Sequence, residues 1–188
     1  MKTSFILNTV AALTLSSSIA SAALYKVDAT HSNVGFKVKH MMISNVSGKF
    51  SDFEGTFDIT DGKFTAINGL IKATSINTDN KDRDNHLRSA DFFDVQNHPE
   101  ITFEFTKQEG EKVYGKLTIK GVTKPVVLKV QIGGEIKDPW GNVRSAFILE
   151  GEINRKDFGL TWNKALETGG VVVDETVKLL IEAQGIRQ

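Results

Sequence analysis

The chain runs to 188 residues, with 23 basic side chains balanced by 23 acidic ones, no cysteine, and 40% hydrophobic residues. This balance leaves no basic face to neutralise phosphates, which argues against a nucleic-acid binder. The lack of thiols excludes disulfide staples and cysteine-bound zinc.

Residues 1–22 have the make-up of an export signal. Lys2 precedes an apolar stretch at 5–15, interrupted by Asn8, Thr9 and Thr14, and Ala20-Ser21-Ala22 supplies the small residues that signal peptidase cuts. The stretch is too short for a spanning helix. Cleavage after Ala22 leaves residues 23–188 as one exported domain, and no later segment is apolar and long enough to span a bilayer as a helix.

From there the chain alternates. A short strand at 24–28 opens the fold, followed by a strand at 31–40 in which Val34, Phe36 and Val38 alternate with Lys37 and Lys39. A turn at 43–45 leads to a long strand at 47–60, whose phase changes between Phe50 and Phe53. A β-bulge near Ser51-Asp52 explains that change. Asp61-Gly62 marks a tight hairpin, and a strand at 64–75 follows. Ile101, Phe103 and Phe105 then alternate with polar neighbours, as do Val113, Leu117 and Ile119, and then Val126, Leu128, Val130 and Ile132. Gly110, Gly121, Gly133-Gly134 and the 138–142 cluster separate these runs. Phe147, Leu149 and Ile153 lie on one face of a strand at 143–154, and a final strand covers 174–185. Period two places one face of each strand in water and the other in an apolar interior. Eight or nine such strands close into a barrel or stack as a sandwich.

One segment, 77–99, departs from the pattern. Leu87, Ala90 and Phe93 are spaced at i, i+3 and i+6, which predicts a short helix at 82–90 capped by Thr78 or Asp79, with Phe92-Phe93 anchoring its end. A connection this long reads as an ordered plug or lid.

No constellation asks for catalysis. His31 and His40 stand at opposite ends of one strand, about 30 Å apart if it is straight. His86 and His98 flank the irregular segment among Asp82, Asp84, Asp91 and Asp94, without a recurring metal spacing. No nucleophile elbow or phosphate loop is present, and no cofactor is expected. What remains is the apolar face itself. Large Phe36, Phe53, Phe57, Phe103, Phe105 and Phe147 share it with Gly35, Gly55, Gly69, Ala73, Gly115 and Gly151. Small residues on a barrel wall leave room, and about eight strands suffice to be filled or to hold one small ligand. Packed core and cavity both remain open on these residues alone.

A set of motifs, in order, resembles the YceI-like proteins, bacterial periplasmic lipocalin-like proteins. They are Asp28 with His31-Ser32, Gly48-Lys49-Phe50, Arg83-Asp84 with His86-Leu87-Arg88, and Asp91-Phe92-Phe93-Asp94. Further along come Gly121-Val122-Thr123-Lys124-Pro125, Arg155 with Asp157-Phe158-Gly159, and Trp162-Asn163. The resemblance implies an all-β, lipocalin-like extended antiparallel barrel of about eight strands. It also implies an apolar pore for a polyisoprenoid or fatty-acid-like lipid. The expected pore residues are Phe36, Val38, Phe57, Ile71, Phe93, Phe103, Phe105, Leu117, Ile119, Leu128, Phe147 and Leu149. Arg83, Asp84, His86 and Arg155 either touch the ligand or fix the loops, and the loop role is favoured. The expectation is a periplasmic, non-catalytic carrier with no nucleic-acid partner, loaded through a transient membrane or delivery partner. The rivals are an enzyme acting on an isoprenoid or quinone head group near His40, His86 or Asp84, and a structural or stress-response module with a packed core.

Overall fold

The computed structural model describes residues 23–188; the expected signal segment, 1–22, lies outside them. Eleven strands and one α-helix follow in chain order. They are β1 (Ala23–Val27), β2 (Asn33–His40), β3 (Ser44–Phe50), β4 (Phe53–Thr60), β5 (Lys63–Lys72), β6 (Ile76–Asn77), α1 (Lys81–Arg88), β7 (Glu100–Glu109), β8 (Lys112–Ile119), β9 (Val122–Lys137), β10 (Val143–Asn154) and β11 (Val173–Arg187).

These strands close into an eight-stranded antiparallel barrel. The count falls from eleven to eight because three staves are bent. β1 and β2 both pair with β11, through Val27↔Gly185 and Phe36↔Leu179. β3 pairs with β2 and β6, while β4 pairs with β1 and β5. The expected strand at 47–60 therefore starts earlier and breaks at Ser51-Asp52, where the sequence phase changes. The bend is bridged rather than left open: the Ser51 N–H donates to the Ser75 carbonyl at 3.3 Å, and the Lys72 N–H donates to the Asp52 carbonyl at 2.9 Å. The break moves the inward parity from Val46, Gly48 and Phe50 to Phe53, Gly55 and Phe57.

Hairpin chemistry fixes the registers. Asp61 and Gly62 both take positive φ, 51° and 72°, as a primed two-residue turn requires. Lys120 and Gly121 repeat this between β8 and β9, at 49° and 74°. α1 forms within the irregular segment, but its cap is Asn80, whose side chain accepts the Arg83 N–H at 2.9 Å. Thr78, one of the expected caps, instead sends its N–H and its hydroxyl to Asp84 Oδ1, at 2.9 and 2.6 Å. Among the described residues no helix is long and apolar enough to cross a membrane.

Candidate functional site: an apolar cavity with an aromatic floor

Alternation sends the odd residues of β4, of β5 from Ile67 on and of β11, and the even ones of β2, into the barrel, with Phe64 inward before the β4–β5 register shift. The two halves of that interior differ. Near the β4–β5 hairpin it is solid. Phe57 is fully buried, stacks on Tyr25 at 4.9 Å between ring centres, and meets Phe147 edge-on at 5.0 Å. Phe64 completes the group, 5.0 Å from Phe147. Val113 and Val130, both buried, fill the space beside them. The Tyr25 hydroxyl donates to Glu135, and burial, reinforced by that carboxylate, raises its pKa to about 12.

Above this floor lies a cavity of about 220 Å³. Phe36, Val38, Phe57, Ile71, Phe93, Phe103, Leu117, Ile119, Leu128, Phe147 and Leu149 all border it. Eleven of the twelve expected pore residues are thus brought together. Phe105 is the correction: it packs beside the floor cluster and does not reach the cavity. It lies one inward position further from the cavity than Phe103, where the β7–β8 register shifts. Sequence reasoning did not single out Leu179, Ile181, Ile153, Phe50 or Phe92, which also line the space. Ile153 shares the inward parity of Phe147 and Leu149, and Leu179 and Ile181 alternate with Lys178 and Glu182, so the signal for these three was present. Phe50 lies beyond the parity change from Phe57.

The small residues need a second correction. A Cβ added at Gly115 would lie 2.3 Å from the Phe103 ring, one at Gly48 2.4 Å from Phe36, and one at Gly185 2.5 Å from Phe57. At Gly151 it would meet Leu128 at 2.5 Å. These glycines are seats for large side chains from other strands, not empty wall. Gly69 differs: its added Cβ would find only Phe103 Cβ, at 3.9 Å. It stands directly opposite Gly55, and both border the cavity. Gly69 is where the wall is bare, since an added Cβ at Gly55 would meet the Asn68 carbonyl at 2.6 Å and Val27 at 3.4 Å.

The helical segment covers the other end. Leu87, Phe92 and Phe93 border the cavity, with Phe93 edge-on to Phe50 at 5.9 Å. His86 donates from Nε2 to the Asp91 carboxylate at 2.8 Å and stands edge-on to Trp162 at 4.9 Å. Arg83 donates to the Thr78 hydroxyl and carbonyl, at 2.7 and 2.6 Å. Arg83, Asp84 and His86 therefore hold the segment in shape and do not line the cavity. Arg155 does line it. Only 4% exposed, its guanidinium donates to the carbonyls of Asp174 at 2.8 Å, Val173 at 3.3 Å, and Leu160. Burial pulls its pKa down, since no carboxylate bonds it directly. It clamps the Arg155–Leu160 turn to the start of β11. Among the described residues, no cluster of three or more metal-ligating side chains is present.

The YceI-like domain model matches residues 25–185. A UPF0312 protein of Photorhabdus laumondii is 40% identical over 188 residues, covering 96% of this chain and 95% of its own. Protein YceI of Salmonella newport is 37% identical, with full coverage of both chains. Among solved structures, the YceI protein of Campylobacter jejuni is 30% identical with a TM-score of 0.70, covering 97% of this chain and 99% of that one. A polyisoprenoid binding domain from Saccharophagus degradans shares the fold, with a TM-score of 0.64 at 18% identity over 87% of this chain and 98% of that one. By its matched domain and its full-length relatives, this chain belongs to the YceI family.

Proposed function

We propose that this barrel is an exported, periplasmic, non-catalytic binding protein. It carries a long-chain amphiphile, isoprenoid or fatty acyl, in the cavity above the aromatic floor. One observation carries the reading. Phe36, Val38, Phe53, Ile71, Phe93 and Val177 face inward and yet stay half-buried, because the space in front of them is empty. A fully packed module buries such residues. The fold shared with a polyisoprenoid binding domain points to the same ligand class.

The mechanism is partition. The cavity has room for at least roughly seven carbon-sized groups, taking water's share of about 30 Å³. Burying them is worth roughly 6 kcal/mol at about 0.8 per methylene, comparable to the cost of immobilising a ligand. Useful affinity therefore needs more of the chain inside, which requires the half-buried rings of Phe36, Phe53 and Phe93 to part. Export ends with cleavage between Ala22 and Ala23, leaving residues 23–188 as the binding domain.

Native mass spectrometry of protein purified from its own periplasm should reveal a bound amphiphile. Stripped protein should bind geranylgeraniol or palmitate. A protein that arrives empty and binds neither ends the reading. N-terminal sequencing checks the cleavage site.

A further inference from the structure

The turn between β2 and β3 exposes three consecutive apolar side chains. Met41 is 44% exposed, Met42 50% and Ile43 89%. A three-residue turn in water has no need of them, and the backbone makes them costlier still. Met41 and Met42 hold positive φ, 49° and 64°, where residues with a Cβ are strained. The turn is nevertheless fixed in place. The Met41 N–H donates to the Val172 carbonyl at 2.8 Å, and a Cβ added at Gly170 would lie 3.0 Å from Met42 Cγ.

The position of this tip matters. His40 pairs with Val173, and the cavity lining extends up to Val38 and Val173. The apolar tip thus stands on the rim of the barrel where the lined space ends. Behind it, on the outer face, Lys37, Lys39 and Lys49 alternate with the inward residues of β2 and β3, and all three are exposed. No ion pair engages any of these three among the described residues. Lys178 lies across from Lys37, with Glu152 3.5 Å from its ammonium. In the adjoining loop, Glu167 is offset by Lys164.

We propose that the Met41-Met42-Ile43 turn, with the lysines behind it, docks the rim of the barrel on an anionic lipid surface. Apolar side chains inserted at the headgroup level, flanked by unpaired cations, are what such a surface recognises. Lys39 stands about 7 Å along the strand from the tip and Lys37 about 13 Å, so both ammonium groups reach headgroup phosphates once the tip is in. A second copy of the chain fits less well, because two cationic stripes would face each other.

The test uses vesicles of phosphatidylglycerol with phosphatidylcholine, free of isoprenoid, so docking is read independently of what the cavity holds. All proteins compared begin at Ala23, so the apolar stretch at 5–15 cannot bind the vesicles in place of the turn. Wild type should cosediment, and more weakly with phosphatidylcholine alone. Ile43→Asp should weaken binding about tenfold. Lys37→Gln with Lys39→Gln should weaken it about thirtyfold, at roughly fivefold per charge. Met42→Gly, which suits the positive φ, should keep the fold and still lose affinity. Variants that bind like wild type overturn the proposal. So does Ile43→Asp turning a dimer into a monomer in the ultracentrifuge without changing vesicle binding, which would assign the tip to a second copy.

Discussion

Around Tyr25, Phe57, Phe64 and Phe147 every inward side chain finds a partner, and rings meet at centre distances of 4.9 to 6.1 Å. On the side of Phe36, Val38, Phe53 and Val177, equally apolar side chains on equally regular strands leave the interior partly unfilled. Composition does not separate the two regions. Cross-strand placement does: rings sit over glycines in both regions, Phe57 over Gly185 and Phe36 over Gly48, but only beside the cavity do two glycines, Gly55 and Gly69, face each other with no ring above them. The closed region is also tied from outside. Arg144 donates to Asp28 at 2.8 Å, to Asp138 at 2.7 Å and to Gln184 at 2.8 Å, joining the end of β1, the β9–β10 turn and β11. One end carries the stability, and the other keeps an adaptable space.

That division predicts unequal responses to the same change. Phe57→Ala should cost about 3–5 kcal/mol, the usual loss for a fully packed ring, whereas Phe36→Ala should cost less than half as much. Urea midpoints measure both, and equal losses would mean the cavity half is packed too.

Gly115→Ala drives a methyl into the Phe103 ring and should destabilise by about 1–3 kcal/mol through overpacking. Gly69→Leu enters open space and should change stability by less than about 1 kcal/mol while excluding geranylgeraniol. Thermal melts paired with ligand titration separate the two.

Charge sharpens the comparison further. Phe103→Asp places a carboxylate at the cavity wall, where water can reach it. It should stay folded and lose ligand, with Lys116→Gln as the exposed control. Phe57→Asp should fail to fold, because its carboxylate would be buried without a partner.

The smallest effect is an acid one, and it belongs to the closed end. Bonds from Thr30 and then Arg144 hold the Asp28 carboxyl well below the usual range, and Arg144 lowers Asp138 to about 2. A folded pKa below the unfolded one stabilises above about pH 4, and that stability is lost as pH falls toward 2. Denaturation curves should show this acid limb shrinking in Arg144→Gln, while Phe36→Ala leaves it in place.

Much of this was legible in the sequence. Period two gave the barrel its strands, and the primed turn at Asp61-Gly62 and the parity change at Ser51-Asp52 stand where expected. The inward residues were legible for the same reason, since parity is local. What lies across the barrel was not. Whether a glycine is a ring seat or a bare patch depends on register between strands that are distant in sequence. Gly115 and Gly69 look alike until Phe103 is placed. Phe105 went astray for the same reason, since its parity was right but its depth along the axis was not visible. The backbone-clamping role of Arg155 was also hidden, because its partners are carbonyls, which carry no sequence signature.

The aromatic floor has a last consequence, for traffic. A chain sliding past Phe103 and Leu128 meets Phe57 and Phe147 and can go no further. The barrel is a cul-de-sac, so whatever enters first leaves last, through the same doorway. For the carrier we propose, delivery would then not be a one-way passage from donor to acceptor on opposite sides. The molecule must turn around, or be met at the same rim twice, and the depth to the floor sets how much of a guest remains outside to be gripped.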